Sequence, residues 1–247
     1  MNAKEKAKHI HQQQEQSDSG RSWGRYLPEF VYGGIDGSVT TFAVVAGAAG
    51  AGLEGNIVLI LGFANLIADG FSMSVGAYLS AKSALDMYDK HRKREYWEIE
   101  NLREYEVEEI REIYAAKGFE GDLLEQVVAK ITEDKDRWVD VMMKEELEMI
   151  PEAKSPLATG VATFLSFFAV GLLPLIIFVM AYWVNITGNL YLIASLITLA
   201  GFIGIGYSKS YVTETGRLRA IGETVMLGVI AAALAYAVGD VLEKIIL

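Results

Sequence analysis

Four glutamates in the middle of the chain, Glu95, Glu98, Glu106 and Glu109, are spaced to share one side of a helix. At about 100° per residue, with Glu95 at 0°, Glu98 falls near −60°, Glu106 near +20° and Glu109 near −40°, a stripe about 80° wide. Like charges three or four residues apart cost a helix roughly a few tenths of a kcal/mol per pair, so a purely structural surface would alternate its signs. Ile99 and Leu102 lie between the carboxylates, so the stripe is expected to face protein. Carboxylates turned toward protein need a counter-ion, and a divalent cation bound through oxygen is the simplest one. The opposite face, with Glu100, Glu104, Glu108 and Glu112, reads as solvated, and Arg103 and Arg111 supply pairing there.

The helix that must carry the stripe reads as residues 85–117, a run of helix formers without Gly or Pro. A turn is expected at 118–122, bracketed by Gly118 and Gly121, with Asp122 as a candidate cap for the next helix. Two further helices follow, 122–132 and 136–149, the second stopped by Pro151. On that last helix Met142, Met143 and Glu146 lie within one turn. Paired methionines are ordinarily packing, and beside a carboxylate stripe they are also candidate thioether ligands. Thioether plus carboxylate without thiolate suits Fe²⁺ better than Ca²⁺ or Mg²⁺. His91, near −40° by the same count and one turn before Glu95, reads first as a bystander.

These helices form an insert, residues 86–155, with 21 Asp and Glu against 12 Lys and Arg, so it holds nearly all of the chain's net charge of −10. On either side the chain is apolar. Of 247 residues 52% are hydrophobic, a mixture that fits a membrane core with one polar domain. Residues 30–53, 57–81, 157–184, 190–207 and 224–241 are five candidate spans, each long enough for a bilayer core, with Pro174 placed to kink the third. The fold class expected is all-α: a five-transmembrane-helix bundle with a three-helix acidic domain between spans two and three. The organisation is a polar tail at 1–26, spans at 27–85, the acidic domain at 86–155 and spans at 156–247.

Lys and Arg set the orientation. The tail has Lys4, Lys6, Lys8, Arg21 and Arg25, and the loop between spans four and five has Lys209, Arg217 and Arg219. The connections near Glu54 and near Asn185-Ile186-Thr187, a glycosylation-type sequon, have none. The tail and the acidic insert are therefore expected in the cytosol, in a multi-pass membrane protein. The absence of cysteine excludes disulfides, thiolate zinc sites and Fe–S clusters. Three histidines, His9, His11 and His91, leave little room for zinc-enzyme or haem chemistry, and a net acidic chain is a poor partner for nucleic acid. The polar first 26 residues do not read as a signal peptide, and Trp23 and Tyr26 read as an interfacial aromatic pair.

Inside the spans, Asp36 lies in Tyr-Gly-Gly-Ile-Asp-Gly-Ser, and Asn65, Asp69 and Met73 follow one another at four-residue steps on the second span. An intramembrane carboxylate is costly unless it lines a cavity or pairs, and no Lys or Arg lies in the first two spans. Metal or protons must neutralise Asp36 and Asp69. Two carboxylates able to hold either are what a metal/proton exchanger needs.

Residues 32–47 (Tyr-Gly-Gly-Ile-Asp-Gly-Ser-Val-Thr-Thr-Phe-Ala-Val-Val-Ala-Gly), 68–73 (Ala-Asp-Gly-Phe-Ser-Met), 78–83 (Tyr-Leu-Ser-Ala-Lys-Ser) and 137–147 (Arg-Trp-Val-Asp-Val-Met-Met-Lys-Glu-Glu-Leu) resemble the signatures of the vacuolar iron transporter family. The resemblance extends over essentially everything after the tail. It implies a homodimer of five-span protomers, with an ion path at the dimer interface between the first and second helices. It also implies export of Fe²⁺ from the cytosol in exchange for protons, with Mn²⁺, Co²⁺ or Zn²⁺ as substitutes. Asp36 and Met73 match the family's pathway positions, and Glu95, Glu98, Glu106, Glu109, Met142, Met143 and Glu146 match the ligands of its cytosolic metal-binding domain. A prokaryotic inner membrane is the expected address, on the resemblance alone. Where plant-like members carry a glutamate in the second helix, this chain has Asn65. An amide ligates metal but carries no proton, so Asp69, one turn on, is the candidate to take over that charge.

Three rival readings remain at this stage. A membrane-tethered di-iron ferroxidase or storage protein would ordinarily pair Glu-x-x-His motifs on two helices, and the insert has only His91. A divalent-cation channel would conduct without moving protons. A scaffold would leave Asp36 and Asp69 without a purpose.

Overall fold

A computed structural model describes residues 24–151, 154–184, 186 and 188–246. The tail cations and histidines before residue 24, Trp23, and Asn185 and Thr187 of the sequon lie outside the described residues. The described chain is helical throughout, without strands, and it forms two compact units. One is the described part of Met1–Tyr78 with Ser155–Leu247, the other is Leu79–Lys154.

The first unit is apolar. After a single 3₁₀ turn at Gly24–Tyr26 come α1 (Leu27–Gly50) and α2 (Gly55–Asn101), a 47-residue helix whose residues 55–78 belong to this unit. After the acidic segment come α6 (Pro156–Gly171), α7 (Leu173–Trp183), α8 (Leu190–Thr213) and α9 (Arg217–Ile246). Among the described residues, four helices, counting Gly24–Gly50 as one, are long and apolar enough to cross a membrane, or five if α6 and α7 form one span. That pair bends by 54° across Leu172. Pro174, in the first turn of α7, has no N–H to bond back to α6 and crowds the carbonyl four residues earlier, so the helix breaks just before it.

Helix α1 packs on α6, α8 and α9. Its glycines allow the close approach: a Cβ on Gly33 would stand 2.7 Å from the Thr163 carbonyl oxygen, and one on Gly37 would collide with the Phe167 carbonyl. The same Gly-Gly-Ile-Asp-Gly stretch thus presses one side of α1 onto α6 backbone while Asp36, between the glycines, stays half-buried. Val45, Val58, Leu66, Phe167, Leu175 and Phe178 fill the core of this unit. Ser74 of α2 donates to the Gly160 carbonyl of α6 at 2.8 Å, which fixes α2 beside α6.

The second unit holds the end of α2 and three short helices, α3 (Arg103–Ala116), α4 (Gly121–Thr132) and α5 (Lys135–Glu145). The continuous helix expected over 85–117 is interrupted. α2 ends at Asn101, whose side-chain amide donates to the Trp97 carbonyl at 2.7 Å, and Leu102 leaves helical geometry at φ −126° and ψ 34°. The Leu102 N–H still reaches the Glu98 carbonyl, and the next helix starts with the Tyr105 and Glu106 N–H groups on the Leu102 carbonyl, at 2.9 and 3.1 Å, without Gly or Pro. The expected helix over 136–149 also closes early. Its backbone turns left-handed at Glu148 (φ 53°), and the Met149 N–H reaches the Met143 carbonyl at 2.8 Å. Gly118 (φ 90°) and Gly121 (φ 56°) bracket the α3–α4 turn. Asp122 is not the cap of α4. It sits inside the first turn after Glu120, whereas Asp134 caps α5 by accepting from the Arg137 N–H at 2.8 Å. Ile99, Ile110, Val139, Trp138, Met142 and Met143 form the core of this unit.

Candidate metal centre

The break at Leu102 does not scatter the glutamate stripe. Glu95 and Glu98, on α2, and Glu106 and Glu109, on α3, still act on one another, because Ile99 and Ile110 beside them are drawn into the same core. Glu146, just past α5, joins them. Glu95 and Glu106 are each only 3% exposed, and each keeps one carboxylate oxygen buried with no hydrogen-bond partner. Burying such an oxygen unpaired is costly, and its usual resolution is a proton or a bound cation.

The electrostatics follow from that crowding. Burial first, then the charges of Glu146, Glu98 and Glu109, push Glu95 up to about 7. Burial first, then Glu109, Glu95, Glu98 and Glu146, push Glu106 up to about 8. Glu109 is raised mainly by burial, against a hydrogen bond from the Tyr105 hydroxyl that lowers it. Glu146, largely exposed by area, is still raised by the protein around its carboxyl and by Glu109 and Glu98. Near neutral pH the cluster therefore holds protons that a divalent cation can displace. Among the described residues, no three Asp, Glu or His side chains close into a coordination shell.

Both methionine side chains are buried in the apolar core of the unit, packed with Trp138 and Val139. His91 is half-buried. On the solvated side Arg111 pairs with Glu108 and Glu125, Lys135 with Glu100, and Lys117 with Glu145. Arg103 turns instead to the Thr132 carbonyl and the Trp138 ring.

In the apolar unit, Asp36 and Asp69 lie within reach of each other's charge. Asp36 is half-buried and Asp69 is exposed. Asn65 is half-buried, with its amide nitrogen unpartnered. Met73 is half-buried against the unit's core, so the Asn65–Asp69–Met73 row is split between an inward thioether and an outward carboxylate. Between Gly55 and Ala81 of α2 the only charged residue is Asp69.

The sequence profile of the VIT family matches residues 27–240, which takes in both units and every candidate site residue. The chain belongs to the VIT family. It is 34% identical over 228 residues to a vacuolar iron transporter of Toxoplasma gondii, covering 90% of this chain and 76% of that protein. It is 31% identical over 222 residues to vacuolar iron transporter 1 of Eucalyptus grandis, covering 90% and 88%. With vacuolar iron transporter 1 of Arabidopsis thaliana it shares 32% over 221 residues, covering 89% and 87%. This VIT-family chain, with its several long apolar helices, is an integral multi-pass membrane protein.

Two participants in the VIT-family chain's acidic cluster escaped the reading of the sequence. Arg94 donates to Glu98 at 3.0 Å, and Tyr105 bonds Glu109. Each sits one helical turn before its glutamate, a spacing visible in the sequence but shared with many ordinary surface pairs.

Proposed function

We propose that this protein is a divalent-metal transporter that moves Fe²⁺, and also Mn²⁺, Co²⁺ or Zn²⁺, out of the cytosol in exchange for protons. The observation that carries this reading is the pair of buried, unpartnered carboxylate oxygens of Glu95 and Glu106 inside a cluster of five glutamates. The names of the relatives, vacuolar iron transporters, support iron as cargo.

In this reading the acidic unit collects metal. Glu95, Glu98, Glu106, Glu109 and Glu146 supply hard oxygen ligands, and Met142 and Met143 supply soft thioethers from the floor of the cluster, a mixture that favours a borderline ion. Cation entry displaces the protons held by Glu95 and Glu106. Asp36, Asn65, Asp69 and Met73 line the membrane path. Asp36 and Asp69 alternate between holding the ion and holding protons, and Asp69 carries the charge that the neutral Asn65 cannot.

With α6 and α7 as one bent span, the protein crosses the bilayer five times. By the distribution of basic residues, the loop with Lys209, Arg217 and Arg219 and the acidic segment with its twelve Lys and Arg are each assigned to the cytosol. A second copy of the chain completes the path. Asp69 is exposed on a face of α2 that also presents Ala64, Ala68, Ser72 and Gly76, small residues at four-residue steps. A carboxylate at that depth needs a protein neighbour or water rather than lipid.

The experiment is metal flux into proteoliposomes with a lumenal pH dye. Flux coupled to opposite proton movement supports the exchanger. Flux without proton movement points instead to an uncoupled channel or uniporter.

A further inference from the structure

We propose that Arg94 is the resident counter-ion of the glutamate cluster: it occupies Glu98 in the metal-free protein and yields that carboxylate when a divalent cation binds. Arg94 thereby tunes how tightly the cluster holds its ion and how readily it lets go. The inference rests on the reading of this cluster as a metal site.

Three observations support it. Both the Nε and a terminal nitrogen of Arg94 approach the same oxygen of Glu98, at 3.0 and 2.9 Å, so one oxygen is claimed and the other is left over. A positive charge acts on Glu95 and on Glu146 within the cluster, and in both cases it is that of Arg94. The exposures of the two partners are lopsided: the Arg94 side chain is 67% exposed and that of Glu98 only 16%. Among the described residues, Arg92, Arg111, Lys135 and Arg137 pair with acids more exposed than themselves, and Lys117 and Lys130 exceed their acids by far less, 39% against 28% and 71% against 62%.

That asymmetry separates a counter-ion from a structural clamp. Arg94 can swing its long stem into water at little desolvation cost, whereas Glu98 has to stay where the other carboxylates are. The order of the pair, cation before anion on the helix, is also the weaker of the two i,i+4 arrangements, so helix stability alone does not favour it. A divalent ion entering among Glu95, Glu98 and Glu106 both needs the Glu98 oxygen and repels the guanidinium. The two cations compete for one ligand.

The test is Mn²⁺ binding to the full-length protein in detergent micelles at fixed pH, with free Mn²⁺ read from its electron paramagnetic resonance signal. Arg94→Gln is expected to tighten binding by about two- to fivefold, the range spanned by an exposed ion pair, and Arg94→Lys to stay near the native value. Most of the gain should vanish when Arg94→Gln is introduced into Glu98→Gln, which a merely structural arginine would not produce. Arg94→Gln binding that is weaker or unchanged, or a gain that persists undiminished without Glu98, overturns the proposal. Glu106→Gln separates the two levels of inference. If it abolishes Mn²⁺ binding while Arg94→Gln gives no gain, only the role of Arg94 falls. If it binds like the native protein, the cluster is not the metal site and both fall.

Discussion

The two units treat their carboxylates in opposite ways. In the acidic unit Glu95 and Glu106 are tucked in by the fold of one chain, with neighbours contributed by α2, α3 and the end of α5. In the apolar unit Asp69 is left on the outside of its helix, whereas Asp36 is partly covered. On the proposed reading, a single copy would complete the collecting cluster but not the membrane path. Burial within one chain suits a site that must hold an ion. An exposed acid on an apolar helix suits a surface finished by another copy.

The sharpest way to break this contrast is Asp36→Ala. We expect flux to fall at least about tenfold, as for loss of an intramembrane carboxylate on an ion path, while Mn²⁺ binding to the acidic unit is unchanged. Equal loss of binding and flux would mean that the two sites are not independent. The converse variant, Glu106→Gln, is expected to weaken Mn²⁺ binding by about tenfold or more, since even outer-shell changes cost that much. It should slow flux less, and only at low metal concentration.

Titration distinguishes the units further. With Glu95 near 7 and Glu106 near 8, metal must displace protons below those values. Mn²⁺ affinity should fall as pH drops from about 8.5 to 6, by about tenfold per pH unit for each proton displaced. The metal-free protein should behave in the reverse sense. Both carboxyls bind protons more tightly folded than unfolded, so their contribution to stability is fully present below about 4.5 and is lost as pH rises through about 7 to 8. Thermal unfolding with chelator should show that decline, and Glu95→Gln with Glu106→Gln should flatten it.

The smallest perturbation probes the outer face. The chain has no cysteine, so Ser72→Cys introduces a single thiol on the small-residue side of α2. A disulfide-linked dimer under mild oxidation is expected, with little change in reduced-state flux. Persistent monomer would remove the second copy from the membrane path.

The glutamate stripe was legible because helical phase and hydrophobic spacing agree at Glu95, Ile99 and Glu106. The interruption at Leu102 was not, because Leu102 is an ordinary helix former that leaves helical geometry with no Gly or Pro to announce it. The early end of α5 was hidden for a similar reason: Glu148, an ordinary helix former, adopts the left-handed turn. The apolar helices could be read from length and composition, and Pro174 marked the bend between α6 and α7 to within two residues. Asp36 and Asp69 stood out as charges without a cation in their spans. Their unequal exposure did not, since it depends on how α1 and α2 each pack on α6. Arg94 was hidden in plain view, one basic residue among twelve in the acidic segment.

Coupled exchange is tested most directly by Fe²⁺ flux in proteoliposomes with a lumenal pH dye, with and without an imposed pH gradient. Inward Fe²⁺ is expected to move protons outward, an acidic lumen to accelerate it, and Asp69→Asn to weaken both the flux and its dependence on pH. Fe²⁺ entry indifferent to the gradient, with no lumenal pH change, would contradict coupled exchange.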